Sequence, residues 1–159
     1  MDPILKLLSE DASLSAAVIA SRLGKTEDEV TKTIEDYESR GVILGYRTLL
    51  NDYELAPKRV RAVIEVKTTP EREGGFDRIA KRIAKHDEVR SCYLMSGGYD
   101  LMVIVEGSSL NDVASFVSEK LATLQGVVST ATHFMLKPYK EHGVLMHHEE
   151  SPDRLKVTP

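Results

Sequence analysis

Leu94-Met95-Ser96-Gly97-Gly98-Tyr99-Asp100-Leu101 joins two apolar runs, 89–95 and 101–106, across a pair of glycines with a carboxylate close behind them. Apolar runs meeting at a Gly-Gly step predict a β-hairpin, because glycine supplies the positive φ that tight connections demand. The same glycines let a ligand or a second backbone approach closely, and Asp100 sets a negative charge beside that space. An ordinary turn accounts for Gly-Gly by itself, so the neighbouring elements decide its meaning.

Before the hairpin, residues 60–67 are β-prone, and Phe76, Ile79, Ala80 and Ile83 recur at helical spacing. Beyond it, Val113, Phe116, Val117, Leu121 and Leu124 mark a second helix, and 128–136 reads as a last strand. The order is βαββαβ, which predicts a ferredoxin-like antiparallel sheet with both helices on one face. A sheet covered on one side should alternate apolar and polar residues. These strands do not: Met102 and Ile104 point away from Leu101, Val103 and Val105, and Val63 and Ile64 occupy both faces of the first strand. The helix-free face is therefore expected to be apolar and to need a cover. The candidates are the same domain of a second subunit, packed sheet on sheet, and the C-terminal segment with Val144-Leu145-Met146 and Leu155-Lys156-Val157.

Ahead of this domain lie three short helical patterns. Asp2 caps the first, with Pro3 in its first turn and Ile4, Leu5, Leu7 and Leu8 as its apolar face. The second starts near Ser15, carries Val18, Ile19 and Leu23, and ends at Gly24. Thr26-Glu27-Asp28-Glu29 is a capping box opening the third, whose inner stripe is Val30, Ile34 and Tyr37 and which closes at Arg40-Gly41. The β-prone Val42-Ile43-Leu44-Gly45-Tyr46-Arg47 then reads as the wing of a winged helix-turn-helix. The fold class is thus α+β: a winged helix-turn-helix over 1–50, a polar, proline-containing linker over 51–59, the βαββαβ domain over 60–137 and a tail over 138–159.

The 159 residues, 42% hydrophobic and 29% charged, suit a soluble protein with its own cores. No apolar run reaches the roughly 18 residues of a membrane span, and Met1-Asp2-Pro3 lacks signal-peptide character, so the reading places the chain in the cytoplasm with no membrane partner. A single cysteine, Cys92, excludes an internal disulfide and is expected to be buried in its strand. The net charge of −4 divides unevenly: six basic residues against eleven acidic ones leave the first 57 residues at −5, and the remainder is near neutral. An acidic first unit is a poor starting point for holding a polyanion.

Domain order, the element Glu38-Ser39-Arg40-Gly41-Val42-Ile43-Leu44-Gly45-Tyr46 and the hairpin's Gly98-Tyr99-Asp100-Leu101 together resemble the Lrp/AsnC ("feast/famine") transcriptional regulators. Their second domain is the RAM domain, for regulation of amino acid metabolism, and the resemblance covers nearly the whole chain. It implies a DNA-binding regulator that forms a homodimer through RAM domains, assembles further, often to an octamer, and binds a small effector, usually an amino acid, between subunits. It further implies a pocket built from the hairpin and the final strand, here Met95, Ser96, Gly97, Gly98, Tyr99 and Asp100 with Ser129, Thr130 and Thr132. Glycine amides donating to a carboxylate and Asp100 facing an ammonium group would suit a zwitterion.

In that family the third helix enters the major groove. Here its exposed positions are largely acidic, leaving Thr31 and Lys32, with Arg22, Arg40 and Arg47 nearby, as the natural DNA contacts. First-turn Glu27, Asp28 and Glu29 favour the helix dipole, yet still repel phosphate. The alternative reading is a sensor or assembly module whose acidic helix-turn-helix does not bind DNA conventionally. Catalysis, a cofactor and a metal are not expected. No nucleophile elbow, P-loop or Rossmann fingerprint occurs, His86 and His133 read as structural, and His142, His147, His148, Glu149 and Glu150 read as solvated charge.

Overall fold

The computed structural model describes residues 1–51, 58–70 and 75–146, and the chain divides into two units, Met1–Leu50 and a second beginning at Asn51. The expected linker falls mostly on 52–57, and the His147-His148-Glu149-Glu150 run and Leu155-Lys156-Val157 fall on 147–159, all outside the described residues.

In the first unit, α1 (Pro3–Glu10), α2 (Ala16–Leu23) and α3 (Glu27–Ser39) follow their local signals closely. Asp2 accepts the Ile4 amide, Ser15 accepts that of Val18, and Gly24 ends α2 at φ 64°, a conformation glycine adopts without steric cost. At α3 the capping box is complete: the Glu29 amide donates to Thr26 Oγ1, and the Thr26 amide donates to the Glu29 carboxylate at 2.8 Å. The Thr26 amide and hydroxyl, both donating to the Glu29 carboxylate, hold it below its usual range. Ile4, Ile19, Ala20 and Val30 form the core, flanked by Leu7, Leu8, Leu14, Leu23 and Ile34.

The expected wing strand is absent among the described residues. Residues 42–50 contain no strand, because the Val42 and Ile43 amides both donate to the Tyr37 carbonyl and so cap α3. Tyr46 then turns back, its hydroxyl donating to Glu38 at 2.9 Å. Val42 and Ile43 thus close a helix instead of opening a strand.

The second unit runs β1 (Val60–Thr68), α4 (Asp77–Ile83), β2 (Val89–Leu94), β3 (Leu101–Gly107), α5 (Leu110–Ser115), β4 (Val127–Phe134), β5 (Lys140–Glu141) and β6 (Val144–Leu145). At Phe116–Leu121 α5 widens into a π-helical turn, which still buries Phe116 and Leu121. The sheet order is β2-β3-β1-β4, antiparallel throughout. Ala62, Ile64 and Val66 pair with Val105, Val103 and Leu101, and these six bury one face against Ile79, Ile83, Val113, Phe116 and Leu121. Cys92, opposite Val103, packs partly against this core, where burial pushes its thiol up.

The other face carries Arg61, Val63, Glu65 and Lys67 of β1 and Met102, Ile104 and Glu106 of β3. Val63, Met102 and Ile104 are only half-buried, as the broken alternation predicts. Past β4 the chain turns into the β5–β6 hairpin, where Glu141 meets Arg61 at 2.6 Å and Met146 is buried. The stretch read as a tail therefore contains ordered structure over its described part.

Candidate functional site

Residues 95–100 connect β2 to β3 at one end of the sheet, and three hydrogen bonds define their shape. The Met95 amide donates to the Asp100 carbonyl at 2.8 Å and closes the loop. The Asp100 amide donates to the Val66 carbonyl at 3.1 Å, and Asp100 Oδ2 accepts the Thr68 amide at 2.7 Å. Asp100 is thus a clamp joining the hairpin to the end of β1, a role its sequence position did not disclose. Its Oδ1 has no partner among the described residues and remains able to meet a cation.

Of the two glycines, only Gly97 uses the freedom expected of both, at φ 150°. A Cβ built on either one would meet no heavy atom within 4 Å, so the loop's outer side is open. Met95, Tyr99 and Asp100 are half-buried, and Ser96, Gly97 and Gly98 are exposed.

The β4 candidates divide between faces. Thr130 and Thr132 pair with Val66 and Ile64 and so lie on the helix-covered face, whereas Ser129 pairs with Lys67 on the open one. Ser129 and Thr130 share the hairpin's end of the sheet; Thr132 stands two residues along the strand. Within one chain β1 separates them from the hairpin by two strand spacings, about 10 Å. A backbone bridge spans that gap: Asp100 holds Thr68, and the Thr69 amide donates to Gly126, just before β4. Thr68 itself was missed. It is 7% exposed with a hydroxyl lacking a partner among the described residues, and its alternation with Ala62, Ile64 and Val66 was the signal available for finding it.

In the first unit Arg22, Thr31, Lys32, Arg40 and Arg47 are all exposed. Arg40 is engaged, its guanidinium 2.7 Å from Asp36 one turn earlier and over the Tyr37 ring. Glu27, Asp28 and Glu35 are exposed beside Thr31 and Lys32. Among the described residues no group of His, Cys, Asp and Glu is arranged to hold a metal ion, and no helix is long and apolar enough to cross a membrane.

A helical unit with a capped third helix, followed by a sheet with a clamped, open hairpin, is the architecture of a helix-turn-helix unit joined to a one-sided α+β domain. Residues 61–145 match the Lrp/AsnC ligand-binding domain model. The chain is 43% identical over 157 residues, 98% of its own length and 95% of the relative's, to the uncharacterized HTH-type transcriptional regulator YugG of Bacillus subtilis. It is 30% identical to the HTH-type transcriptional regulator LrpA of Pyrococcus horikoshii, over 86% of this chain and 94% of that one. Among solved structures, a Neisseria meningitidis transcriptional regulator in complex with L-Met superposes with a TM-score of 0.69 at 23% identity, covering 87% of this chain and 89% of its own. E. coli AsnC superposes with a TM-score of 0.67 at 21% identity, over 87% and 91%. At those identities the superpositions speak for the fold. The chain belongs to the Lrp/AsnC family of transcriptional regulators, whose members are not enzymes.

Proposed function

We propose that this regulator, working in the cytoplasm, binds an amino acid at the 95–100 hairpin, completed by Ser129, Thr130 and Thr132 of a neighbouring subunit, and that occupancy there changes how its helix-turn-helix units engage DNA. The observation carrying this reading is the hairpin itself, braced from behind by Asp100 on Thr68 and unobstructed over Gly97 and Gly98. A zwitterion needs donors for its carboxylate and an acceptor for its ammonium group; loop amides and Asp100 Oδ1 supply both. The helix-free sheet face, with half-buried Val63, Met102 and Ile104, supports a homodimer, and repetition of such contacts would give a higher homo-oligomer. Linked binding explains the regulation: an effector that prefers one assembly or domain spacing shifts the population toward it.

DNA contact would fall to Arg22, Thr31, Lys32, Arg40 and Arg47. Against so many carboxylates a single unit should bind weakly, and a multimer gains through effective concentration. The deciding experiment pairs thermal-shift measurements against single L-amino acids with fluorescence anisotropy on the protein's own upstream DNA. A melting shift for at least one amino acid, together with DNA affinity that falls steeply with salt, is expected. Binding to no amino acid would refute the effector reading. A second reading, an effector-sensing assembly module that does not bind DNA, is favoured by one observation, the capture of Arg40 by Asp36 on an acidic α3. Absence of salt-sensitive DNA binding at micromolar protein would select it.

A further inference from the structure

The segment after β4 is built like a presenting arm. Its start extends the ladder, the Met135 amide donating to the Arg61 carbonyl at 2.9 Å. Its far end is closed by the β5–β6 pairing and by the Met146 amide donating to the Tyr139 carbonyl. Between them, Leu136 is 92% exposed and Leu145 73%, with Tyr139 and Val144 also open to solvent. Exposed apolar side chains on a braced hairpin are costly in isolation and characteristic of a contact surface.

Beside these backbone bonds, an ion pair ties the arm to the sheet. Arg61 lies on the helix-free face of β1, and its guanidinium reaches Glu141 Oε1 at 2.6 Å and Oε2 at 3.4 Å. The two side chains are only 18% and 26% exposed, so this is a partly desolvated, two-pronged contact rather than a loose surface pair. Because Arg61 shares its face with Val63, the arm is continuous with the apolar strip that needs a cover. We propose that the Arg61–Glu141 pair is a latch holding residues 135–146 as the second half of the surface on which another copy of this chain sits.

The occupant follows from chemistry. A polyanion would meet Glu65, Glu106 and Glu141 on this side, and an amino acid is too small for a surface running from Val63 to Leu145. A second copy brings apolar area to apolar area, and Glu65 and Lys67, of opposite sign on the same face, can meet their counterparts on it. The two covers foreseen for the sheet, a second subunit and the C-terminal segment, then become one composite interface. This latch rests on the dimer proposed above.

Sedimentation velocity over a dilution series tests it with the full chain. Leu145→Asp, at a solvent-exposed position, should leave the circular dichroism spectrum and melting of dilute protein unchanged while raising the dimer Kd at least tenfold. Glu141→Gln should raise Kd about tenfold by releasing the arm, and Arg61→Glu should do so more strongly. The exchanged pair Arg61→Glu with Glu141→Arg should recover most of the loss, which a folding defect would not. A wild-type protein that stays monomeric refutes the dimer and the latch together. A wild-type dimer indifferent to Leu145→Asp removes the arm from the interface, and one sensitive to Leu145→Asp but indifferent to Glu141→Gln removes the latch alone.

Discussion

Asp100 is positioned to do two jobs, and two substitutions separate them. Its Oδ2 accepts the Thr68 amide at 2.7 Å, and Thr68 is buried. Replacing Asp100 with Ala deletes a charge-assisted hydrogen bond and strands a buried backbone donor, a loss of about 2 kcal/mol. For a domain of this size that lowers the melting temperature by roughly 10 °C. Asp100→Asn keeps an acceptor oxygen for Thr68 and removes only the charge, so its melting temperature should fall by no more than about 3 °C. Ligand response divides differently: if the free oxygen meets an ammonium group, both variants lose affinity, Asn by about tenfold or more. Thermal-shift titration of wild type, Asn and Ala with each L-amino acid reads both quantities from the same melts. An Ala variant that melts with the wild type would refute the clamp. An Asn variant with an undiminished ligand shift would refute the ammonium contact and leave the clamp standing.

The neighbouring glycines should differ in kind. Gly98→Val adds bulk where a Cβ meets nothing, so melting should change by less than about 2 °C while the amino-acid response disappears; Gly97→Ala, at φ 150°, should cost about 1 kcal/mol in chemical denaturation. Stability of the second unit should also depend on acid. Burial pushes the Glu106 carboxyl up, but Arg59 and Arg90 more than offset it and hold it below the usual range. A depressed carboxylate stabilises above its unfolded pKa and loses that contribution as pH falls through the folded value, so wild type should lose stability below about pH 4.5 more steeply than Glu106→Gln in urea melts. On α3, Asp36→Asn should release Arg40 and remove a charge facing phosphate, strengthening DNA binding several-fold in anisotropy at low salt. Weaker or unchanged binding would place α3 away from DNA.

Much of this molecule was legible because its signals are local. Thr26 and Glu29 announce the start of α3 through hydrogen bonds made within one turn, and the two periodicities, near 3.6 and 2, separate Val113–Leu121 from Leu101–Val105 without reference to the rest of the fold. The expected strand at Val42-Ile43 is absent for the complementary reason: these residues have strand propensity, but the Tyr37 carbonyl near the end of α3 takes both amides. Within the site, the hairpin was readable from Gly97-Gly98, whereas the bond from Asp100 to Thr68 spans 32 residues and the latch from Arg61 to Glu141 spans 80. No sequence period encodes such pairs. They follow from strand order, which puts β1 between β3 and β4 and so brings it against both the hairpin before β3 and the segment after β4.

That central strand also constrains how an effector could be felt at a distance. β1 is clamped to the 95–100 hairpin at Thr68 and to the 135–146 segment at Arg61, seven residues apart or about 23 Å of extended chain. The β1–β4 ladder has an irregularity between Lys67 and Thr68, opposite Val127 and directly beside the clamp. Coupling between sites requires an element with two arrangements that both ligands bias. A one-residue slip at the bulge would exchange the faces of Ser129 and Thr130 relative to β1 and so supply a second arrangement. An effector that draws on Asp100 and on one of those hydroxyls would therefore act on the register of β4, the strand that leads into the arm.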